Sequence, residues 1–172
     1  MKEYFKDLEG SISFKYNLKN TNWFNIGGII EAYFKPKNLK DLVSLRKNIK
    51  KKEKIYIIGA GSNLLISDKG INGIAIKLGS NFSNISKINE TTLIAGASTI
   101  DKKLSEYAME NEISGFEFLS CIPGTVGGGI RMNSGCFGSE FKDILISVQA
   151  INRFGEVLTI PRKEIIFDYR SC

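Results

Sequence analysis

The sequence contains no histidine, and it has only three cysteines and three prolines among 172 residues. The missing histidine removes the usual general base and the Ser-His and Cys-His nucleophile pairs. Cys121, Cys136 and Cys172 are odd in number, irregularly spaced and without a Cys-x-x-Cys pair, so neither a zinc site nor a disulfide framework is supported. No apolar run approaches the length of a membrane span, so no membrane partner is expected. The segment Met1-Lys2-Glu3-Tyr4-Phe5-Lys6-Asp7 mixes charges of both signs and has no apolar core. It is no secretory signal, and the cytoplasm is the default location. Chemistry is left to a cofactor or to Arg, Lys, Tyr and carboxylates.

What is present reads as a folded chain. Hydrophobic residues make up 42% and the mean hydropathy is −0.08, values of a globular protein rather than a disordered one. The length fits one domain or two small lobes. A formal charge of +6 suits an anionic partner, but much of it is one cluster, Lys47, Lys50, Lys51, Lys52 and Lys54. These lysines close a predicted helix, where cations complement the helix dipole and remain solvated. No aromatic platform is interleaved with them, so no nucleic-acid partner is expected.

Along the chain, Asn20 to Gly28 is a polar, glycine-marked loop, and Ile29 to Phe34 is a strand stopped by Pro36. Asn38 is placed to cap a helix whose apolar positions are Leu39, Leu42, Val43 and Ile49. The β-branched run Lys54 to Ile58 predicts a strand, as does Ile74 to Leu78, and a break falls near Leu78-Gly79-Ser80-Asn81. Ile85 to Ile88 and Thr92 to Ala95 pair around Asn89-Glu90. Ser98 is the expected cap of the next helix, with Ile100, Leu104, Tyr107 and Ala108 facing its core. Ile144 to Ile151 and Glu156 to Ile160 form a hairpin around Asn152-Arg153-Phe154-Gly155. Helices and strands alternate early and hairpins dominate later, which makes the fold class α+β.

Two glycine segments stand out. Gly59-Ala60-Gly61-Ser62-Asn63-Leu64 follows a strand and begins like a dinucleotide fingerprint, but Leu64 occupies the place of the third glycine and no long helix follows. It is either a tight turn or an anion-binding nest of successive N–H groups, with Ser62 and Asn63 adding donors. The second segment, Cys121 to Gly138, is read as a loop with six glycines in eighteen residues. It keeps Ile, Val, Met and Phe between them, unlike a flexible linker. Its glycines permit positive φ or a close approach of backbone to a flat ligand. Pro123 fixes the entry, and Asn133 offers a donor and an acceptor.

Together, Asn20-Thr21 through Gly27-Gly28, Gly59 through Leu65, Ile122-Pro123-Gly124-Thr125-Val126-Gly127-Gly128 through Met132-Asn133-Ser134-Gly135, and Tyr169-Arg170-Ser171 resemble the UDP-N-acetylenolpyruvoylglucosamine reductases. The resemblance runs from about residue 20 to the end and implies the two-lobed FAD-binding fold of the vanillyl-alcohol oxidase type. It assigns residues 1–78 to the first lobe, with 1–20 a leading segment, and residues 79–172 to the second. It implies FAD as cofactor, NADPH as hydride donor and a nucleotide sugar as substrate, on a monomer that serves peptidoglycan synthesis.

By the same resemblance, Gly59, Ala60, Gly61, Ser62, Asn63 and Leu64 cradle the diphosphate. Pro123, Gly124, Thr125, Gly127, Gly128, Met132, Asn133 and Gly135 run along the diphosphate and flavin, and Arg170 is the catalytic arginine. A flavin supplies the hydride, so no histidine is required. The family's substrate domain, with its Ser or Cys proton donor and late Glu, lies beyond this sequence, so the chain alone is expected to be inactive. Cys172 is not taken as that donor. Ser120, Cys121, Gly129, Ser134, Cys136 and Phe137 depart from the family pattern. The alternative is a catalytically inactive flavin-binding or basic interaction module. A flavin attached through histidine is excluded, whereas a cysteine link is not.

Overall fold

The computed structural model describes residues 1–172, which divide into two compact units. The first comprises Met1–Asn81 and Gln149–Leu158, and the second Phe82–Val148 and Thr159–Cys172. The tip of the late hairpin therefore groups with the first unit, a separation that the expected continuous lobe 79–172 does not contain. No helix is long and apolar enough to cross a membrane.

The first unit is built on a four-stranded sheet. In chain order its elements are β1 (Ser11–Asn17), β2 (Ile29–Lys35), helix α1 (Leu39–Asn48), β3 (Ile55–Ile58) and β4 (Ile71–Lys77), with strand order β1-β2-β4-β3. β1 and β2 are antiparallel, with Ile12 opposite Phe34, while β4 runs parallel to both β2 and β3. The central strands are covered on both faces, which is why Ile74-Ala75-Ile76 reads as an uninterrupted apolar run. One face packs Ala32, Phe34, Ile74 and Ile76 against Tyr4, Phe5 and Leu45; the other packs Ile30, Tyr33 and Ala75 against Leu18, Ile58 and Ile66.

Asn38 caps α1 as expected, its Oδ1 accepting from Asp41 N at 2.9 Å. The helix stripe is corrected in one respect. Leu45, absent from the predicted apolar face, is its fully buried residue, and Leu39 is 46% exposed. The sheet meets the helix one turn further along than the cap suggests. Parallel neighbours β3 and β4 are joined by residues 59–70, so the first glycine motif is the crossover between two strands.

The second unit begins with β5 (Ile85–Asn89) and β6 (Thr92–Ala95), which pair antiparallel as expected. Then come α2 (Asp101–Glu110), α3 (Val126–Arg131), β7 (Gly135–Cys136), β8 (Ser139–Glu140) and α4 (Phe141–Ile144). Leu104, Phe118, Leu119, Val126 and Phe141 form its core. Ser98 is not the cap of α2. Ile100 holds that position without a side-chain hydrogen bond, because Ile100 and Thr125 form an antiparallel bridge that keeps the chain extended until Asp101. The hairpin strands are β9 (Ser147–Ile151) and β10 (Val157–Pro161); Ile144, expected to open the first of them, instead ends the helical turn α4, and the strand starts three residues later.

Candidate functional site

In the first unit, the end of β3 opens into Gly59–Leu64. Gly61 adopts φ +79°, and a Cβ there would lie 2.2 Å from Thr21 O and 2.8 Å from Asn22 Cα. Only glycine lets the loop rest on that backbone. Trp23 N donates to Gly61 O at 3.1 Å. The platform is stiff, because Thr21 Oγ1 donates to Leu18 O at 2.6 Å and Asn22 Nδ2 donates to Leu18 O and Ile26 O. Two of the sequence motifs are thus one structure.

The backbone N–H groups of residues 60–63 donate to no acceptor within the chain, Leu64 closes a turn on Gly61, and neither Ser62 nor Asn63 makes an intramolecular side-chain hydrogen bond. A run of donors without an internal acceptor in a glycine turn is the geometry that an anion nest requires. Leu64 is different, since its side chain packs on the core beside Ile58 and Ile66.

Beside this loop lies a cleft of about 380 Å³ whose lining includes Tyr16, Trp23, Tyr33, Lys35, Ala60 and Lys77. Tyr16 and Tyr33 stack at 4.2 Å with rings 12° apart, and burial pushes the Tyr33 hydroxyl up to about 12. Lys77 Nζ donates to Gly59 O. Burial first, and then Lys35, lowers the Lys77 pKa, and an anion beside it would oppose that shift. Asn22 Oδ1 is buried without a donor.

In the second unit, the glycine segment is not a loop. Val126-Gly127-Gly128-Gly129-Ile130-Arg131 is the helix α3, and no glycine from Gly124 to Gly135 has positive φ. Close packing explains most of them. A Cβ would lie 2.5 Å from Asp101 Oδ2 at Gly124, 3.0 Å from Ala97 O at Gly127, 2.1 Å from the Phe141 ring at Gly129 and 2.6 Å from Ser139 O at Gly135. Gly128 is the exception, where the nearest atom is Thr125 Oγ1 at 3.4 Å. A helical glycine costs about 1 kcal/mol relative to alanine, and at Gly128 nothing inside the chain repays it. The bare face fits a flat ligand laid against the backbone.

Pro123 is exposed, Met132 half-buried and Thr125 buried. Asn133 is committed internally. It holds φ 43°, donates from Nδ2 to Glu140 Oε2 at 3.0 Å and to Asp168 O at 3.5 Å, and accepts from Lys142 N at 3.1 Å. Its amide serves the fold rather than lying open to a ligand. The Asp168 contact ties the end of the glycine segment to the turn bearing Arg170. That turn is closed by reciprocal Asp168 and Ser171 backbone hydrogen bonds of 3.0 and 3.3 Å. Arg170 is exposed at φ 53°, with Nε donating to Tyr169 Oη at 3.2 Å.

One residue beside the segment carries no sequence signal. Asp101 is completely buried, both carboxylate oxygens lack partners, and burial raises its pKa to about 7. In the sequence it looks like an ordinary first-turn helix acid. Thr99 Oγ1, two residues earlier, is also buried and unpartnered. The Cys121 thiol, which donates to Phe118 O at 3.1 Å, is raised first by its neighbour Cys136 and then by burial. A protonated thiol is a poor nucleophile for covalent attachment.

Each unit carries its own glycine-shaped backbone surface, a turn in the first and a helix in the second. The chain belongs to the FAD binding domain family, whose pattern matches residues 30–161. It is similar to UDP-N-acetylenolpyruvoylglucosamine reductase of Pelagibacter ubique, 54% identical over 171 residues, which are 99% of this chain and 57% of that protein. The Rickettsia canadensis reductase of the same name is 48% identical over 95% of this chain and 55% of its own length. The chain therefore spans about half the length of these relatives.

Among solved structures, UDP-N-acetylenolpyruvylglucosamine reductase from Thermus caldophilus superposes with a TM-score of 0.76 at 26% identity, over 95% of this chain and 56% of that one. 6-Hydroxy-D-nicotine oxidase from Arthrobacter nicotinovorans shares the fold at a TM-score of 0.64 and 12% identity, over 92% of this chain and 37% of its own. The fold is thus the α+β FAD-binding fold of the vanillyl-alcohol oxidase type.

Proposed function

We propose that this chain forms the FAD-binding part of an NADPH-dependent reductase that converts UDP-N-acetylglucosamine enolpyruvate to UDP-N-acetylmuramate in peptidoglycan synthesis. The observation that carries the reading is the run of N–H groups without an internal acceptor at residues 60–63, in a chain 54% identical to a reductase of that name. Bound FAD would supply hydride transfer. The protein's own part is to hold and to polarise.

Ala60 to Asn63 would hold the diphosphate through backbone donors, with Ser62 and Asn63 adding side-chain ones. Gly128 would let a flat ring approach the helix backbone. Gly124, Gly127 and Gly135 shape the segment by close packing, and Pro123, Thr125 and Met132 lie on it beside the same ligand. Arg170 would stabilise the negative charge that develops toward the enolpyruvyl carboxylate as hydride is added. Asn133 is a positioning residue, since it holds the arginine turn to the glycine segment. In this reading residues 1–78 and 79–172 are the two cofactor-binding lobes of a cytoplasmic monomer, and the chain alone turns over no substrate.

Two measurements test this. The purified chain should quench FAD fluorescence on titration, and Gly61→Ala should abolish that quenching because φ +79° and the 2.2 Å approach to Thr21 O both forbid a side chain. Fusing the chain to the remaining part of the Pelagibacter ubique reductase should restore NADPH oxidation that depends on the UDP-sugar. Arg170→Lys in that chimera should lower kcat roughly 10²–10³-fold while leaving FAD uptake intact. A chimera that is replete with FAD yet inert toward the UDP-sugar would sink the substrate assignment.

A further inference from the structure

A second cleft, of about 630 Å³, lies in the first unit away from the glycine loop. Five cations converge on it from two stretches far apart in sequence. Arg46 and Lys47 come from the end of α1, Lys50 and Lys51 from the turn after it, and Arg153 from the hairpin tip. The lysine cluster that reads in sequence as a solvated helix end is here one wall of a concave site. Beside it sits Phe154, the aromatic that the sequence did not interleave with the cluster.

The cleft is built rather than accidental. Asn152 Oδ1 accepts from Phe154 N at 2.8 Å and from Glu156 N at 3.0 Å, which fixes the tip. Arg46 Nε donates to Asn152 O at 3.4 Å. Gly155, at φ +79°, lets the tip close on α1, since a Cβ there would lie 2.8 Å from Lys47 Cγ and 2.9 Å from Val43 O. Packing thus brings Arg153 toward four other cations against their mutual repulsion.

No ion pair in the chain engages them. The four ion pairs of the structure involve Lys37, Lys87, Lys102 and Lys142, none of which lines the cleft. The single carboxylate in the lining, Glu53, accepts a hydrogen bond from Tyr4 Oη at 3.1 Å. Arg46 and Lys47 offset the negative end of α1, which leaves Lys50, Lys51 and Arg153 as surplus positive charge. Arg153 stacks over the 57% exposed Phe154 ring with its guanidinium carbon 4.8 Å from the centroid, making a flat and partly apolar platform.

We propose that this cleft is an accessory binding site for a nucleoside di- or triphosphate, separate from the flavin site. The surplus cations would take the phosphates, and the Arg153–Phe154 platform would take the base. The volume lies within the usual range of small-molecule sites, about 300–1,000 Å³. One aromatic accommodates one base, whereas tracking a nucleic-acid strand calls for a succession of them.

The test is calorimetric titration of ATP into the chain held in excess FAD. ATP should bind one to one, with inorganic pyrophosphate competing. The exposed-site variant Lys50→Gln/Lys51→Gln/Arg153→Gln should bind ATP at least about tenfold more weakly. Phe154→Ala should weaken ATP severalfold and leave pyrophosphate unchanged. Circular dichroism of both variants should match the parent. The proposal is overturned if ATP fails to bind at low salt, or if FAD displaces it and the triple variant binds it normally. It is equally overturned if oligothymidylate displaces ATP with an affinity that climbs with its length, which would make the cleft a nucleic-acid track.

Discussion

Substituting Gly128 and Gly129 by alanine should shift stability in opposite directions although the two residues are neighbours on one helix. At Gly129 the added Cβ would meet Phe141 ring atoms at 2.1, 2.7 and 2.9 Å. That ring is 2% exposed and makes an edge contact with Phe118 at 6.1 Å, so it has no free direction of retreat. Overpacking costs about 1–3 kcal/mol, and an overlap as deep as 2.1 Å belongs at the upper end, above the roughly 1 kcal/mol that alanine contributes to a helix. The expected net loss is up to about 2 kcal/mol. At Gly128 the nearest atom is 3.4 Å away, so the helix gain of up to about 1 kcal/mol survives.

For a chain of this size each kcal/mol moves Tm by about 2–4 °C. Thermal unfolding without FAD should therefore show Gly128→Ala melting a few degrees higher and Gly129→Ala lower. Titration with FAD should show the reverse cost, with Gly128→Ala binding at least about tenfold more weakly if its methyl occupies space the ring needs, a change of roughly 1.4 kcal/mol. Unchanged FAD affinity in Gly128→Ala would refute the argument that its bare face awaits a ligand. An undiminished melting temperature in Gly129→Ala would refute the packing account.

Asp101 gives a pH signature. An acid raised from 3.8 to about 7 by burial binds its proton more tightly folded than unfolded, so its stability contribution is full below about pH 4 and is lost as the pH climbs toward 7. Urea unfolding at pH 5 and pH 8 should show that loss, and Asp101→Asn should flatten it. Asn133→Ala should cost about 4–5 kcal/mol, combining three hydrogen bonds of about 1 kcal/mol each with left-handed strain of about 1–2 kcal/mol. Asn133→Gly should recover only the strain, again by urea unfolding. Asn38→Ala should lower stability by about 1 kcal/mol through loss of the α1 cap.

Most elements were legible because their signals are local. The β-branched runs, the Asn38 cap and the Asn152–Gly155 turn each depend on residues within a few positions, and each stands as read. Ser98 failed as a cap because a bridge to Thr125, from another part of the chain, holds the backbone extended past it. The glycine helix was illegible for the same reason. Three consecutive glycines deny a helix by propensity, and what overrides them is Ala97 on one side and Phe141 on the other. Within the candidate site, the Gly59 loop announced itself by its glycines, but its seat on Thr21 and Asn22 depends on residues some forty positions earlier and carried no local signal. Asn133 looked like a ligand contact because its chemistry is that of one, and only the positions of Glu140, Lys142 and Asp168 show where its bonds go. Asp101 carried no cue at all, since burial of a helix-start carboxylate is decided by whatever packs over it.

The hairpin tip has a bearing on the order in which this protein is made. Chains emerge from the ribosome N-terminus first and tend to fold domain by domain. Here the four-stranded sheet has been synthesised once Lys77 is out, but the remaining piece of the first unit, Gln149–Leu158, arrives only after all of Phe82–Val148. The Lys47 side of α1 must therefore wait, uncovered, while most of the second unit is translated. A release at Asn81 would yield a nascent first unit lacking its last packing segment, so the two units are separable in space but interleaved in time.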